Sequence, residues 1–203
     1  MPPRHAERLV DLTLAGLLLA LILPVLLVVA VAIRVDSPGP VLHRATRIGL
    51  CGRPFTLYKF RTMIVGAAGR GPRVTGAGDP RVTHMGRLLR RTKFDELPQL
   101  WNVLRGDMRL VDPRPEDPRF VALYAPDQQL VLSVCPGLTG PSQLAFFDEE
   151  AILASGDPEG VYVRDILPRK LAIDLEYARL HDFMGDLRII GRTIMLMLRP
   201  RAH

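Results

Sequence analysis

Between Leu12 and Ile33 no residue is charged, and only Thr13, Gly16 and Pro24 interrupt a run of Leu, Val, Ile and Ala. As a helix this stretch would extend roughly 33 Å, long enough to cross a bilayer. It exceeds the apolar region of about 7 to 15 residues found in cleaved signal peptides, so it reads as a retained anchor. Arg4 and Arg8 precede it, while Arg34, Arg44, Arg47 and Arg53 follow, so positive charge marks both flanks as cytoplasmic. Pro24 lies near the middle, where a missing N–H and a ring clash break a helix into two arms. A re-entrant hairpin would satisfy both flanks, provided the backbone groups freed near Ala20 and Leu21 find partners in the protein. A single crossing remains the alternative.

Beyond the anchor, Ser37-Pro38-Gly39-Pro40 is a turn cluster, and residues 41–57 read as short extended pieces broken at Gly49 and Gly52-Arg53-Pro54. The alternation in Tyr58-Lys59-Phe60-Arg61-Thr62-Met63 predicts a strand with Lys59 and Arg61 on one face, an arrangement suited to a phosphate. Residues 66–80, rich in Gly and Arg, form a loop, and Asp79 or Thr83 is placed to cap the next helix. Met85, Leu88, Leu89, Leu97, Leu100, Trp101 and Leu104 then recur at helical spacing, with Pro98 starting a new helix or kinking the old one. Further helices fall over 167–177 and 186–198; the last carries apolar residues among Arg188, Arg192 and Arg199, compatible with a headgroup-level helix or a core helix. The pattern predicts a predominantly helical α/β domain with short strands over residues 37–203, behind an anchor over 1–36.

With 24% charged and 48% hydrophobic residues in 203, the chain has material for a folded core. A formal charge of +6 points to an anionic partner: nucleic acid, anionic lipid or a phosphorylated small molecule. Neither a recognised basic helix nor an aromatic stacking platform is present, which argues against nucleic acid. Cys51 and Cys135 are too few for a disulfide framework and fit a reduced, cytoplasmic setting.

The adjacent carboxylates Asp95 and Glu96 sit in an apolar frame of Phe94, Leu97, Leu100 and Trp101. Desolvating such a pair is costly, so cations, hydrogen bonds or a chemical task must hold it there. Asp95 is a candidate nucleophile, Glu96 a candidate ligand for Mg²⁺, and Lys59, Arg61, Arg90 and Arg114 candidate anion ligands. Arg114 lies between Pro113 and Pro115, which restrict its backbone and make it a fixed clamp. The alternative is structural: Asp95 and Glu96 paired with Arg90 or Arg91.

Ser37-Pro38-Gly39-Pro40-Val41, Lys59-Phe60-Arg61-Thr62-Met63, Asp95-Glu96-Leu97-Pro98-Gln99-Leu100, Gly106-Asp107-Met108 and Pro113-Arg114-Pro115 follow one another in order. Together they closely resemble the bacterial sugar transferase family, the monotopic polyprenyl-phosphate phosphoglycosyl transferases, in its small single-domain form. The resemblance continues through Pro136-Gly137-Leu138-Thr139-Gly140 to Asp186-Leu187-Arg188-Ile189-Ile190. It implies transfer of a sugar-1-phosphate from a UDP-sugar donor to polyprenyl (undecaprenyl) phosphate at the cytoplasmic face of a bacterial inner membrane, with release of UMP. Exopolysaccharide, O-antigen or glycoprotein glycan synthesis would start there. By the same resemblance Asp95 forms a covalent phosphosugar intermediate and Glu96 holds Mg²⁺. Pro113 and Arg114 serve the nucleotide, Lys59 and Arg90 assist phosphate binding, and Pro24 marks the break in the membrane helix. Arg61 is assigned either to phosphate or to a structural pairing with Asp107 or Glu96. Membrane lipids are expected partners, and homodimer formation stays open.

The chain departs from the family pattern at Arg109 and Asp112, usually Ser and Gly, which changes the charge beside the nucleotide loop. Phe147 replaces an expected phosphate-binding arginine, and Val131 stands where arginine is common; Arg164 and Arg169 are candidates to compensate. These departures support a rival reading, a catalytically silent membrane adaptor of the same fold.

Overall fold

The computed structural model describes residues 5–72, 74–154 and 157–199. Helix α1 spans His5–Asp36, about 48 Å at ~1.5 Å per residue, and is long and apolar enough to cross a membrane. Pro24 lies inside it without interrupting it, so the expected division into two arms is not seen as a break in the helix. The physical reason is local: proline removes one donor, leaving the Ala20 carbonyl without its usual partner, while the hydrogen-bond ladder resumes on either side.

Asp11, Ala15, Leu19, Ile22, Leu26, Val29 and Ile33 are spaced by three or four residues and form one stripe packed against the rest of the protein. Ala15 shares a cluster with Leu57, Leu100, Val103 and Met108; Val29 and Ile33 share another with Phe60 and Leu89. Helix α1 and the rest of the protein thus have common cores. Leu9, Leu17, Leu21, Val28, Val31 and Val35 cover the opposite, exposed face.

Strands β1 (Leu42–Ile48) and β2 (Pro54–Phe60) form an antiparallel hairpin, with Leu42 opposite Phe60 and His43 opposite Lys59. The connector expected over residues 41–57 is therefore mostly this hairpin. β2 stops at Phe60, one residue before Arg61. Helix α2 (His84–Thr92) is capped by Thr83, whose hydroxyl accepts from the Gly86 N–H; Asp79 instead binds Arg81. Gly86 permits close packing, since a β-carbon there would lie 2.0 Å from the Thr62 carbonyl oxygen.

A 3₁₀ segment, Phe94–Gln99, holds Pro98 and leads into α3 (Leu100–Arg105). Strand β3 (Arg109–Val111) lies parallel to β4 (Gly137–Thr139), with α4 (Pro118–Val121) between them in sequence. Short helices α5 (Pro141–Ala145), α6 (Glu149–Ile152) and α7 (Pro158–Val161) precede α8 (Leu167–Leu180) and α9 (Phe183–Leu198). A third core joins Phe120, Val131, Leu153, Tyr162, Ile166, Leu167 and Leu171. Val131 is one of its members, a position where an arginine would have to bury its charge. The predominantly helical architecture with short strands is as the sequence predicts.

Candidate active site

Asp95 and Glu96 occupy the first turn of the 3₁₀ segment, where Lys93 ends α2 in the left-handed conformation, φ 59°. The Glu96 N–H donates to the Lys93 carbonyl, closing the turn. Asp95 is buried, and its Oδ1 has no hydrogen-bond partner; among the described residues it has no ion-pair partner. Burial, then the neighbouring Glu96 charge, raise its pKa to about 6, against the pull of Lys59, Arg90 and Lys93.

Glu96 is held differently. Burial acts to raise its pKa, but Arg114, Lys93 and Lys59 outweigh burial and hold it below the ordinary carboxylate range. Arg114 grips it with both arms, at 2.6 and 2.9 Å. Pro113 and Pro115 are both buried beside this guanidinium; the sequence reading makes Arg114 a phosphate clamp, and what it holds in this structure is the Glu96 carboxylate.

Lys59, near the end of β2, carries no ion pair among the described residues. Burial, with Arg90 and Arg47 adding to it, pushes it down to about 8, while Asp95 and Glu96 counteract. Arg90, in the last turn of α2, donates from Nε to the Thr62 hydroxyl at 2.9 Å and pairs with Glu150 at 3.2 Å. The structural alternative for the dyad takes another form than the sequence suggests: Glu96 is paired, but with Arg114, and the ion pair of Arg90 goes to Glu150.

Arg61 is not part of this constellation. It is buried, and its guanidinium donates to the carbonyls of Ser37, Pro38 and Pro40 and to the Ser37 hydroxyl. The strand alternation placed it beside Lys59, but β2 ends first and the side chain turns back to the Ser37–Pro40 turn. Neither Asp107 nor Glu96 is its partner. Its task is to satisfy a run of carbonyls at the exit from α1.

The departures at Arg109 and Asp112 prove to be partners. Arg109 is buried among Asp11 at 3.0 Å, Asp112 at 3.3 Å, Glu7 at 3.4 Å and Asp186 at 3.6 Å. Asp186 also accepts from the Tyr177 hydroxyl. Asp112 has no positive φ, so it takes the usual glycine position without left-handed strain. Burial lifts it to about 8, opposed by Arg109 and reinforced by Asp186 and Asp11. The expected charge change beside the nucleotide loop is thus a buried network linking α1, β3 and α9.

Phe147 stacks under the Lys93 ammonium, 5.5 Å from ring centre to Nζ. Arg164 is bound to its exposed neighbour Asp165. Sequence reasoning missed Lys93, whose only signal was a cation two residues before the dyad. It also missed Gln99, fully buried with both polar atoms unpartnered, in the same motif.

A family model described as bacterial sugar transferase matches residues 3–200. The chain is 40% identical over 195 residues to a UDP-glucose:undecaprenyl-phosphate glucose-1-phosphate transferase of Caulobacter vibrioides, covering 95% of this chain and 69% of that one. A protein of the same name from Escherichia coli (strain K12) is 37% identical over 94% of the chain. A UDP-N-acetylgalactosamine-undecaprenyl-phosphate N-acetylgalactosaminephosphotransferase of Aeromonas hydrophila is 33% identical over 95% of it. The chain spans 40% and 43% of these last two relatives.

Proposed function

The chain belongs to the bacterial sugar transferase family, and on that premise we propose that it moves a sugar-1-phosphate from a UDP-sugar to undecaprenyl phosphate through a covalent Asp95 intermediate, releasing UMP. The observation that carries the reading is Asp95 itself: a buried carboxylate with an unpartnered oxygen, flanked by Lys59, Arg90 and Lys93 and next to the Glu96–Arg114 pair. A phosphoryl donor needs in-line positioning and cations for its oxygens, and little else from a protein.

In the first half-reaction an Asp95 oxygen bonds to the sugar-bearing phosphorus as the bond from that phosphorus to the bridging oxygen breaks, and UMP leaves with that electron pair. In the second, an oxygen of the lipid phosphate bonds to the same phosphorus and the Asp95 carboxylate is released. On this reading Lys59 and Arg90 bind the donor's phosphate oxygens, Arg90 giving up its pairing with Glu150 to do so. Arg114, fixed between its prolines, binds the nucleotide end.

The hard carboxylate oxygens of Glu96 and the unpartnered Oδ1 of Asp95 suit Mg²⁺. The described residues hold no group of three or more His, Cys, Asp or Glu able to cage a metal, so the ion would be held by Glu96 together with donor phosphate oxygens and water. When bound, it supplies neutralisation of the diphosphate charge.

Packing also supports a membrane setting with both ends of α1 on the cytoplasmic side. Near its start, Arg8 donates to the Leu104 carbonyl and Asp11 pairs with Arg109; at its end, the Met85 N–H donates to Asp36. A helix docked at both ends on one domain does not carry that domain across a bilayer. Its exposed face, with Phe183, Met184, Ile194, Met195 and Leu198 of α9, offers an apolar surface for lipid.

The test is UMP release from a panel of UDP-sugars, UDP-glucose first, by solubilised protein with Mg²⁺ and undecaprenyl phosphate. Release abolished by Asp95→Asn is expected. No release from any donor would defeat the reading, and donor binding without turnover would favour the silent adaptor.

A further inference from the structure

Lys93 stands out on three counts. Its backbone is left-handed at a helix end, a conformation that glycine or asparagine adopts at lower cost. The residue is half-buried, yet among the described residues its ammonium has no carboxylate within ion-pair distance and no side-chain hydrogen bond. The ammonium lies over the face of Phe147, 5.5 Å from the ring centre, a contact that leaves hydrogen-bonding capacity for a ligand.

Lys93 lies two residues before the dyad, and its charge acts on both Asp95 and Glu96. After Arg114, Lys93 is the cation acting most strongly on Glu96. The neighbouring cations differ: Arg90 is taken up by Thr62 and Glu150, and Arg114 by Glu96. A cation beside the dyad that no carboxylate of the chain neutralises is available to an anion from outside the chain.

We propose that Lys93, steadied by the Phe147 ring, is a phosphate-binding residue of the transfer site. The inference rests on the transferase reading and assigns to Lys93 one anion, the phosphate that is transferred or the phosphate that receives it. The ring face holds the ammonium beside the dyad and cannot use up all three of its N–H donors.

Lys93→Gln removes the charge with a polar side chain one atom shorter and leaves the left-handed backbone requirement unchanged; Lys93→Arg restores the charge. Two readouts are needed. The first is kcat/KM for each substrate in turn, because a two-step cycle reports the donor and the lipid acceptor separately. Lys93→Gln is expected to lower kcat/KM about tenfold or more for at least one substrate, with recovery in Lys93→Arg. The transferred phosphate takes part in both half-reactions, so loss for both substrates assigns that phosphate, and loss for the lipid acceptor alone assigns the receiving phosphate.

The second readout is calorimetric binding of inorganic pyrophosphate and of UDP to the full chain. It reports on the anion site even if no donor in the panel turns over, which keeps failure of this inference distinct from failure of the transferase reading. Weaker pyrophosphate binding by Lys93→Gln than by the parent, recovered in Lys93→Arg, supports the assignment. Parent-like binding together with parent-like kcat/KM for both substrates, or equal losses in Lys93→Gln and Lys93→Arg, would overturn it. Phe147→Leu, which removes the ring but not the charge, is expected to give a smaller loss of the same kind.

Discussion

Asn102 ties α3 to β2, the strand that carries Lys59, and its removal has a calculable effect. The side chain is fully buried in α3. Its Nδ2 donates to the Thr56 carbonyl at 2.7 Å and to Asp107 at 3.1 Å, and its Oδ1 accepts from the Tyr58 N–H at 3.1 Å. Both backbone partners lie on β2, and Lys59 follows Tyr58 directly. Asn102→Ala removes all three bonds and leaves the Tyr58 N–H without its acceptor. Allowing about 1 kcal/mol for each bond, with somewhat more for the one to the Asp107 carboxylate, the loss is ~3 kcal/mol. For a chain of this length each kcal/mol shifts Tm by about 2 to 4 °C, so a fall of roughly 6 to 12 °C is expected in detergent. Asn102→Asp keeps the acceptor for Tyr58 but loses both donor bonds and sets a second carboxylate against Asp107, so it should be no better tolerated. A fall of less than about 2 °C in both variants would refute the claim that α3 holds β2 through this residue.

Three further outcomes follow from the packing and the charges. Burial, opposed by Arg109, lifts Asp112 to about 8, so between about pH 4 and pH 8 the folded chain holds a proton that the unfolded chain has lost, and stability drains away as pH rises through that window. Asp112→Asn mimics the protonated form and should flatten the Tm–pH profile, with the variant more stable than the parent at pH 8; parallel profiles would sink the assignment. Gly86→Ala forces a β-carbon against the Thr62 carbonyl and should cost ~2 kcal/mol, whereas Gly191→Ala, with nothing within 4 Å, should be neutral or stabilising in thermal melts. Single cysteines at Ala6 and Pro38, in a background lacking the exposed Cys51, should both be labelled from the cytoplasmic side of membrane vesicles, and an Ala6 site reached only from the opposite side would contradict the docking of both helix ends.

The buried carboxylate pair was legible because adjacent carboxylates in an apolar frame have few physical solutions; two prolines made the fixed backbone of Arg114 legible too, but not that its guanidinium holds Glu96. Thr83 was readable as a cap for the same reason of local chemistry. Arg61 was misread because strand alternation says nothing about where the strand stops, and one residue past Phe60 its side chain serves a turn instead of a ligand. Pro24 announced a weakness in the helix, but a proline removes only one donor, and packing along the whole of α1 is a tertiary fact. Arg109 and Asp112 looked like two unrelated departures, since their shared neighbours Asp11 and Asp186 come from opposite ends of the chain. Lys93 was hidden for a similar reason: its left-handed backbone and its ring partner, more than fifty residues downstream, appear only when the chain is folded.

The most direct test of the account is mass spectrometry of protein incubated with a UDP-sugar that it turns over, with no lipid acceptor present, then quenched. The account predicts a burst of UMP close to one equivalent per active chain and a sugar-phosphate mass on the peptide carrying Asp95, absent in Asp95→Asn and discharged on adding undecaprenyl phosphate. UMP released only when donor and acceptor are present together, with no adduct on any peptide, would contradict it.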